Sequence, residues 1–459
     1  MTSKKTYWIA LFAILFINCS KPIYSEEKVN PERPNIIYIL ADDMGVYDLG
    51  CYGQQKIKTP NIDKMAAEGM LFTQHYAGST VCAPSRGTLM TGYHTGHGYV
   101  KGNFAMPSEG NLPLPDKTIT VAEKLKEAGY KTGIIGKWGL GGPSDEGHPN
   151  KQGFDYSFCY LDQRLAHEYY PDHLWWNYEK VMLDREYSHD LFAEESLDFI
   201  RKNKANPFFL YLPFTIPHGK YQVPDDEPYS NESWTEKQKN YAAMTTRMDK
   251  DIGRIFSLLD SLNLDENTIV FFASDNGGVK EISSFFGSQG PFRGYKTDCY
   301  EGGIRSPLIV RWPGKIEAGS KSDHVSAFWD FLPTACDLVG CKAPTEIDGI
   351  SFLPALLNQD QEQHKLLYWE YFNYNYSWKP GSTNPRNYLL SEAIRVGDWK
   401  GVRKNLYKNP DADIELYNLK NDIGEENDVA DQYPEIVKEL TDLMLSEHND
   451  SEYFKVNQH

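Results

Sequence analysis

The sequence predicts an α/β protein: a large domain built on a sheet, followed by a smaller antiparallel sheet that carries a C-terminal helix. Within residues 32–364, short apolar runs that end in polar or glycine-rich residues alternate with helical stretches. Beyond them, residues 365–459 hold several short strand patterns in succession and then one amphipathic helix. The chain's 459 residues suffice for one large domain and a small one. Hydrophobic residues at 40% and charged residues at 24% indicate a folded protein rather than a disordered one.

Lys4 and Lys5, the apolar run 8–17 and then Cys19 have the layout of a secretion signal, so residues 1–18 are expected to be removed. That run is too short to span a bilayer. Cys19 directly after it resembles a bacterial lipoprotein cleavage site, which implies a lipid anchor. The expected location is therefore exported, periplasmic or outer-membrane-attached in a Gram-negative cell. The net charge of −17 becomes more negative once Lys4 and Lys5 are lost, and this argues against nucleic acid as a partner. An acidic protein must draw an anionic ligand through a local basic site rather than through its overall field. With Cys19 and Cys82 set aside, Cys51, Cys159, Cys299, Cys336 and Cys341 form an odd set that does not read as a disulfide framework.

Four apolar runs deliver chemistry-bearing residues at their C-terminal ends. Residues 35–40 (NIIYIL) run into Asp42 and Asp43, and residues 268–273 (TIVFFA) into Asp275, Asn276 and two glycines. Residues 208–212 lead to Pro217 and His218, and residues 132–135 to Lys137, Trp138 and Gly139. In open α/β sheets ligands bind at that edge, so these groups should converge on one cleft. Thr120 and Glu123 form a capping box that opens a helix closed by Gly129. The polar segment 356–364 marks the boundary, followed by strand patterns at 366–370, 393–396, 400–403 and 415–419. Residues 434–446 form a helix with Ile436, Val437, Leu440, Leu443 and Met444 on one face. Asp42, Asp43, Asp275 and Asn276, with no histidine or cysteine cluster beside them, point to a hard divalent cation, Ca²⁺ or Mg²⁺.

The run from Val81 to Gly92, VCAPSRGTLMTG, is more specific. Pro84 fits the first turn of a helix, and Cys82 and Arg86 stand four apart on one face. Cys-x-Pro-Ser-Arg followed by Leu-x-Thr-Gly resembles the signature of the type I sulfatases, whose cysteine is oxidised to formylglycine. The resemblance continues through Lys137-Trp138, Pro217-His218, Asp275-Asn276-Gly277, Arg293-Gly294-Tyr295-Lys296, Glu301-Gly302-Gly303-Ile304-Arg305, Arg395 to Lys400 and Glu415 to Leu419.

The resemblance implies an alkaline-phosphatase-like mixed-sheet sandwich over residues 32–364 as the catalytic domain, with 365–459 as a small α+β subdomain. It further implies formylglycine at Cys82, made by a formylglycine-generating partner enzyme, and one Ca²⁺ held by Asp42, Asp43, the modified Cys82, Asp275 and Asn276. Arg86, Lys137 and Lys296 are implied to surround the sulfate charge and His218 to protonate the leaving alcohol. The family commonly places a histidine where this chain has Gly139, so either another group serves in its place, with His94 and His97 just after the nucleophile helix as candidates, or turnover is slower. The aromatic segment 153–177 resembles a bacterial carbohydrate sulfatase branch acting on galactose or N-acetylgalactosamine, which implies a sulfated carbohydrate substrate with O4 as the expected position. Phosphatases and phosphonate monoester hydrolases of the same superfamily, and a catalytically weak glycan-binding lipoprotein, are the alternatives.

Overall fold

In the computed structural model the described residues are 33–374 and 387–456; the expected signal and Cys19 lie outside them. A ten-stranded mixed sheet runs through the large domain. Its centre is parallel, in the order Thr268–Ser274, Asn35–Ala41, Phe208–Pro213, Lys131–Lys137 and Tyr156–Tyr160. On one side Leu308–Arg311 joins antiparallel, Met70–Phe72 pairs antiparallel with it and Ser320–Ser322 adds parallel to Met70–Phe72, while the hairpin His173–Trp176 and Glu179–Met182 extends the other side.

Every residue of Asn35–Ala41 is buried because both faces of the sheet are covered. Ile36, Tyr38 and Leu40 pack into one apolar layer with Phe331 and Leu332, and Ile37, Ile39 and Ala41 pack into the other with Met248 and Ile252. Each large aliphatic side chain removed from water in this way contributes about 1.5–3 kcal/mol. The expected capping box is present: the Glu123 amide donates to Thr120 Oγ1 at 3.2 Å and the Thr120 amide to Glu123 Oε2 at 2.8 Å. The helix it opens spans Val121–Glu127. All the described cysteines are free.

The aromatic segment is mostly structural. Tyr156–Tyr160 and His173–Trp176 are sheet strands, and Tyr160 and Tyr169 are fully buried, whereas Tyr170, Trp176 and Tyr178 remain exposed.

The small antiparallel sheet has the order Leu367–Tyr374, Asn387–Val396, Trp399–Lys404, Glu415–Asn418. One face receives Leu440 and Met444 of the helix Pro434–Glu447. The other face, with Trp369, Ala393 and Val402, packs on Val81, Cys299 and Ile304 of the large domain. Buried ion pairs pin this contact. Lys400 Nζ lies 2.8 Å from both Glu301 Oε1 and Glu425 Oε1, and Arg305 and Tyr76 also bond Glu301. Burial alone would raise the Glu301 carboxyl, but Arg305 and Lys400 hold it far below its ordinary range. Removing one partner of a buried pair strands the other charge, at a cost of about 3–5 kcal/mol. Lys400→Met is therefore expected to lower unfolding free energy by roughly that amount, measured by urea titration.

Candidate active site

Five parallel strands end at the same sheet edge, and the residues after them meet there. Asp42 and Asp43 follow Asn35–Ala41; Asp275 and Asn276 follow Thr268–Ser274; His218 lies beyond Phe208–Pro213; Lys137 closes Lys131–Lys137. Facing them is the first residue of the helix Cys82–Thr91.

Cys82 Sγ lies 3.3 Å from Asp42 Oδ1 and 3.8 Å from Lys296 Nζ. Lys137 Nζ contacts Asp42 Oδ2 at 2.6 Å, and Lys296 Nζ contacts Asp43 Oδ2 at 2.7 Å. Arg86, one helical turn after Cys82, grips Asp275 Oδ2 through Nη2 at 2.7 Å and Nε at 3.2 Å, and its Nη1 donates to the Lys137 carbonyl at 2.9 Å. The structure thus gathers Asp42, Asp43, Cys82, Arg86, Lys137, Asp275 and Asn276, all buried, into one cluster with the partly exposed His218 and Lys296. Asp43 sits in the left-handed backbone region at φ 65°, a strained conformation for a residue with a side chain. It is held there by its amide bond to Asp275 Oδ1 at 3.2 Å and by the Asn276 amide bond to its Oδ1 at 2.8 Å.

The electrostatics follow from burial and pairing. Burial raises the Asp42 carboxyl, but the Lys137, Arg86 and Lys296 cations more than reverse this and hold it well below the usual range. Asp275 goes the other way, raised by burial and by Asp42 beside it. Three carboxylates in close array and a buried Asn276 Oδ1 with no hydrogen-bond partner among the described residues fit an oxygen-coordinated divalent cation. Burial, then Asp275 and Asp42, push the Cys82 thiol far above its ordinary value. The unmodified side chain is therefore a neutral thiol and a poor nucleophile.

His218 Nε2 lies 3.1 Å from Lys296 Nζ, which can only donate, while Nδ1 faces the Gly219 carbonyl. Burial and Lys296 keep the ring neutral, well below its usual pKa. Flat against it, at 3.8 Å between ring centroids and 10° between planes, lies His167. Burial and then His218 lower the His167 pKa as well. No sequence pattern marks His167; only its delivery from the fifth parallel strand reveals it.

The expectation that His94 and His97 serve this centre is not met. Cys82 opens the helix and both histidines lie past its other end, where they stack on each other at 4.4 Å and pair with Glu447 and Asp348. Ten helical residues separate the two ends by about 15 Å. His94 Nδ1 accepts the Gly96 amide at 3.1 Å, which leaves Nε2 as the donor to Glu447.

A centre that sets three carboxylates able to hold a cation beside fixed positive side chains fits a hydrolase acting on anionic esters. Residues 34–341 match the family model described as Sulfatase, and residues 293–450 the one described as N-sulphoglucosamine sulphohydrolase, C-terminal. The chain belongs to the sulfatase family and is a sulfuric ester hydrolase. It is 36% identical over 367 residues to the N-acetylgalactosamine-6-sulfatase of Canis lupus familiaris, covering 74% of this chain and 69% of that one. To the N-acetylgalactosamine-6-O-sulfatase of Bacteroides thetaiotaomicron it is 30% identical over 509 residues, covering 94% and 96%. The solved structure of Ps i-CgsB in complex with k-i-k-neocarrahexaose superposes with a TM-score of 0.78 at 29% identity, covering 92% of this chain and 95% of that chain. The large mixed sheet with its small antiparallel companion is the alkaline-phosphatase-like arrangement of these proteins.

If Asp42, Asp43, Asp275 and Asn276 hold a cation, Ca²⁺ will stabilise the native protein by mass action. A rise in Tm on adding Ca²⁺ is expected for the wild-type protein and not for Asp42→Asn, read by differential scanning calorimetry.

Proposed function

We propose that the protein removes O-sulfate from galactose or N-acetylgalactosamine in a glycosaminoglycan, mucin or algal glycan, using formylglycine made from Cys82 and one Ca²⁺. The carrying observation is the placement of Cys82 between Asp42 and Lys296 inside the carboxylate and cation cluster. The motif around Cys82 and the sulfatase family to which the chain belongs support a modified nucleophile at that position. As its hydrate, formylglycine supplies one hydroxyl to attack sulfur and a second through which sulfate is later expelled. Ca²⁺ held by Asp42, Asp43, Asp275 and Asn276 supplies charge neutralisation at the nucleophile and at a sulfate oxygen.

The protein's own groups do the rest. Arg86, Lys137 and Lys296 are already oriented by their carboxylate partners, so they meet the sulfate charge with little reorganisation. An ester that takes over the Lys296 hydrogen bond frees His218 Nε2, and its negative charge favours the protonated ring, which then donates to the leaving alcohol oxygen. Export, with lipid attachment at Cys19 and a maturing enzyme acting on Cys82, completes the reading and rests on residues 4–19 and on the motif around Cys82. Two relatives, from dog and from Bacteroides thetaiotaomicron, are named for N-acetylgalactosamine O6-sulfate, which supports the galacto configuration and sets O6 against O4 as the positions to separate.

Sulfate release is to be measured with Ca²⁺ on 4-O- and 6-O-sulfated galactose, N-acetylgalactosamine and N-acetylglucosamine, and on a matching phosphate ester. Release from the galacto sugars, falling by at least ~10³-fold in Cys82→Ala, is the expected result. Equal rates on gluco-configured sulfates would remove the sugar assignment. Faster phosphate release would move the protein to the phosphatases. Chelation is expected to abolish activity and Ca²⁺ to restore it; activity that survives exhaustive chelation would remove the metal from the reading.

A further inference from the structure

Gly139 lies two residues beyond Lys137 with its backbone in the left-handed region, at φ 76°. A Cβ built there would stand 2.6 Å from Gln163 Nε2 and 2.8 Å from Gln163 Cγ. The space into which any side chain at 139 would extend is therefore already filled by the carboxamide of Gln163. This occupant is fixed from behind. The Gln163 amide N–H donates to Asn111 Oδ1 at 2.9 Å, and the preceding Asp162 accepts the Gly110 and Arg164 amides at 3.1 and 2.6 Å.

Gln163 is only 4% exposed, and its Nε2 is buried without an acceptor among the described residues. A sealed amide donor left unbonded costs about 1–3 kcal/mol, a penalty that a fold tolerates where an arriving ligand completes the bond. His167, on the same turn, also has a buried and unpartnered Nε2, and its ring lies on His218. The turn at 162–167 thus follows the fifth parallel strand and reaches the cluster built by the other four.

We propose that Gln163 is a further catalytic residue of the sulfatase centre: its Nε2 donates to an oxygen of the bound sulfate group from the side that Gly139 leaves open. Gly139 is kept small by that side chain, and His167 positions the turn through its stack on His218. The proposal rests on the sulfate-binding reading of the site.

The test compares Gln163→Met, which keeps the length of the side chain and removes the donor, with Gln163→Glu, which keeps its shape and reverses its hydrogen-bonding role. Binding of inorganic sulfate to the Ca²⁺-loaded protein is followed by calorimetry, alongside kcat, KM and Tm. A direct contact predicts sulfate affinity and kcat/KM lowered about 10- to 100-fold in Gln163→Met, since a hydrogen bond to a charged group is worth roughly 1.5–3 kcal/mol. Tm is expected unchanged or raised in that variant, because the orphaned donor is gone. Gln163→Glu, placing a carboxylate against the sulfate, should bind it more weakly still. A Gln163→Met protein with wild-type sulfate affinity and turnover would overturn the proposal and reduce Gln163 to a filler, while leaving the sulfatase reading intact. Should Gln163→Met not fold, wild-type affinity and turnover in Gln163→Glu would overturn it equally. No sulfate binding by the wild-type protein would instead sink the reading on which the proposal stands.

Discussion

The structure depends on one electrostatic constraint: several charges are sealed from water at one sheet edge, and each must have a partner of opposite sign. Asp42, Asp43 and Asp275 face Lys137, Lys296 and Arg86, all within a shell of buried backbone. Ion desolvation is expensive, so the geometry tolerates little slack. The same pairs that keep the acids in place hold three cations in positions where an anionic ester can meet them. Stability of the site and readiness for an anion thus come from the same contacts.

That constraint accounts for the surrounding architecture. Parallel strands bring residues far apart in sequence to one edge, and the two apolar layers that bury Asn35–Ala41 on both faces give that edge a rigid base. The helix Cys82–Thr91 packs Ala83, Leu89 and Met90 into the first layer, which fixes Cys82 against the strand ends. The Lys296 loop has no strand of its own. Its position comes from the Lys296 and Thr297 amides, bonded to the carbonyls of Gly278 and Thr80 at 3.0 Å each.

The strand ends and the acid pairs were legible because a fully buried parallel strand reads as a continuous apolar run that stops where its chemistry begins. The capping box at Thr120 was legible for a similarly local reason. The edge strands on one side were missed: Met70–Phe72 and Ser320–Ser322, which pair parallel with each other, are too short to show a period. The helix Glu236–Ser261 was not read although its signals are local: Thr235 and Gln238 form a capping box, and Met244, Met248, Ile252, Ile255 and Leu259 recur on one face. His94 and His97 were placed wrongly because nearness in sequence to Cys82 is not nearness in space once a helix intervenes. Gln163 and His167 matter through stacking and through the space beside a glycine, neither of which leaves a local pattern.

The Glu301, Lys400 and Glu425 contacts tie the small sheet to the segment that carries Lys296. The polar stretch at 356–364 therefore separates two sheets without separating two folding units. A fragment ending there would leave Glu301 paired with Arg305 but without Lys400, and the loop bearing Lys296 would lose its backing. Loss of the small sheet and loss of the reactive centre should be a single cooperative event, so residues 365–459 are as much a part of the catalyst as the strand ends themselves.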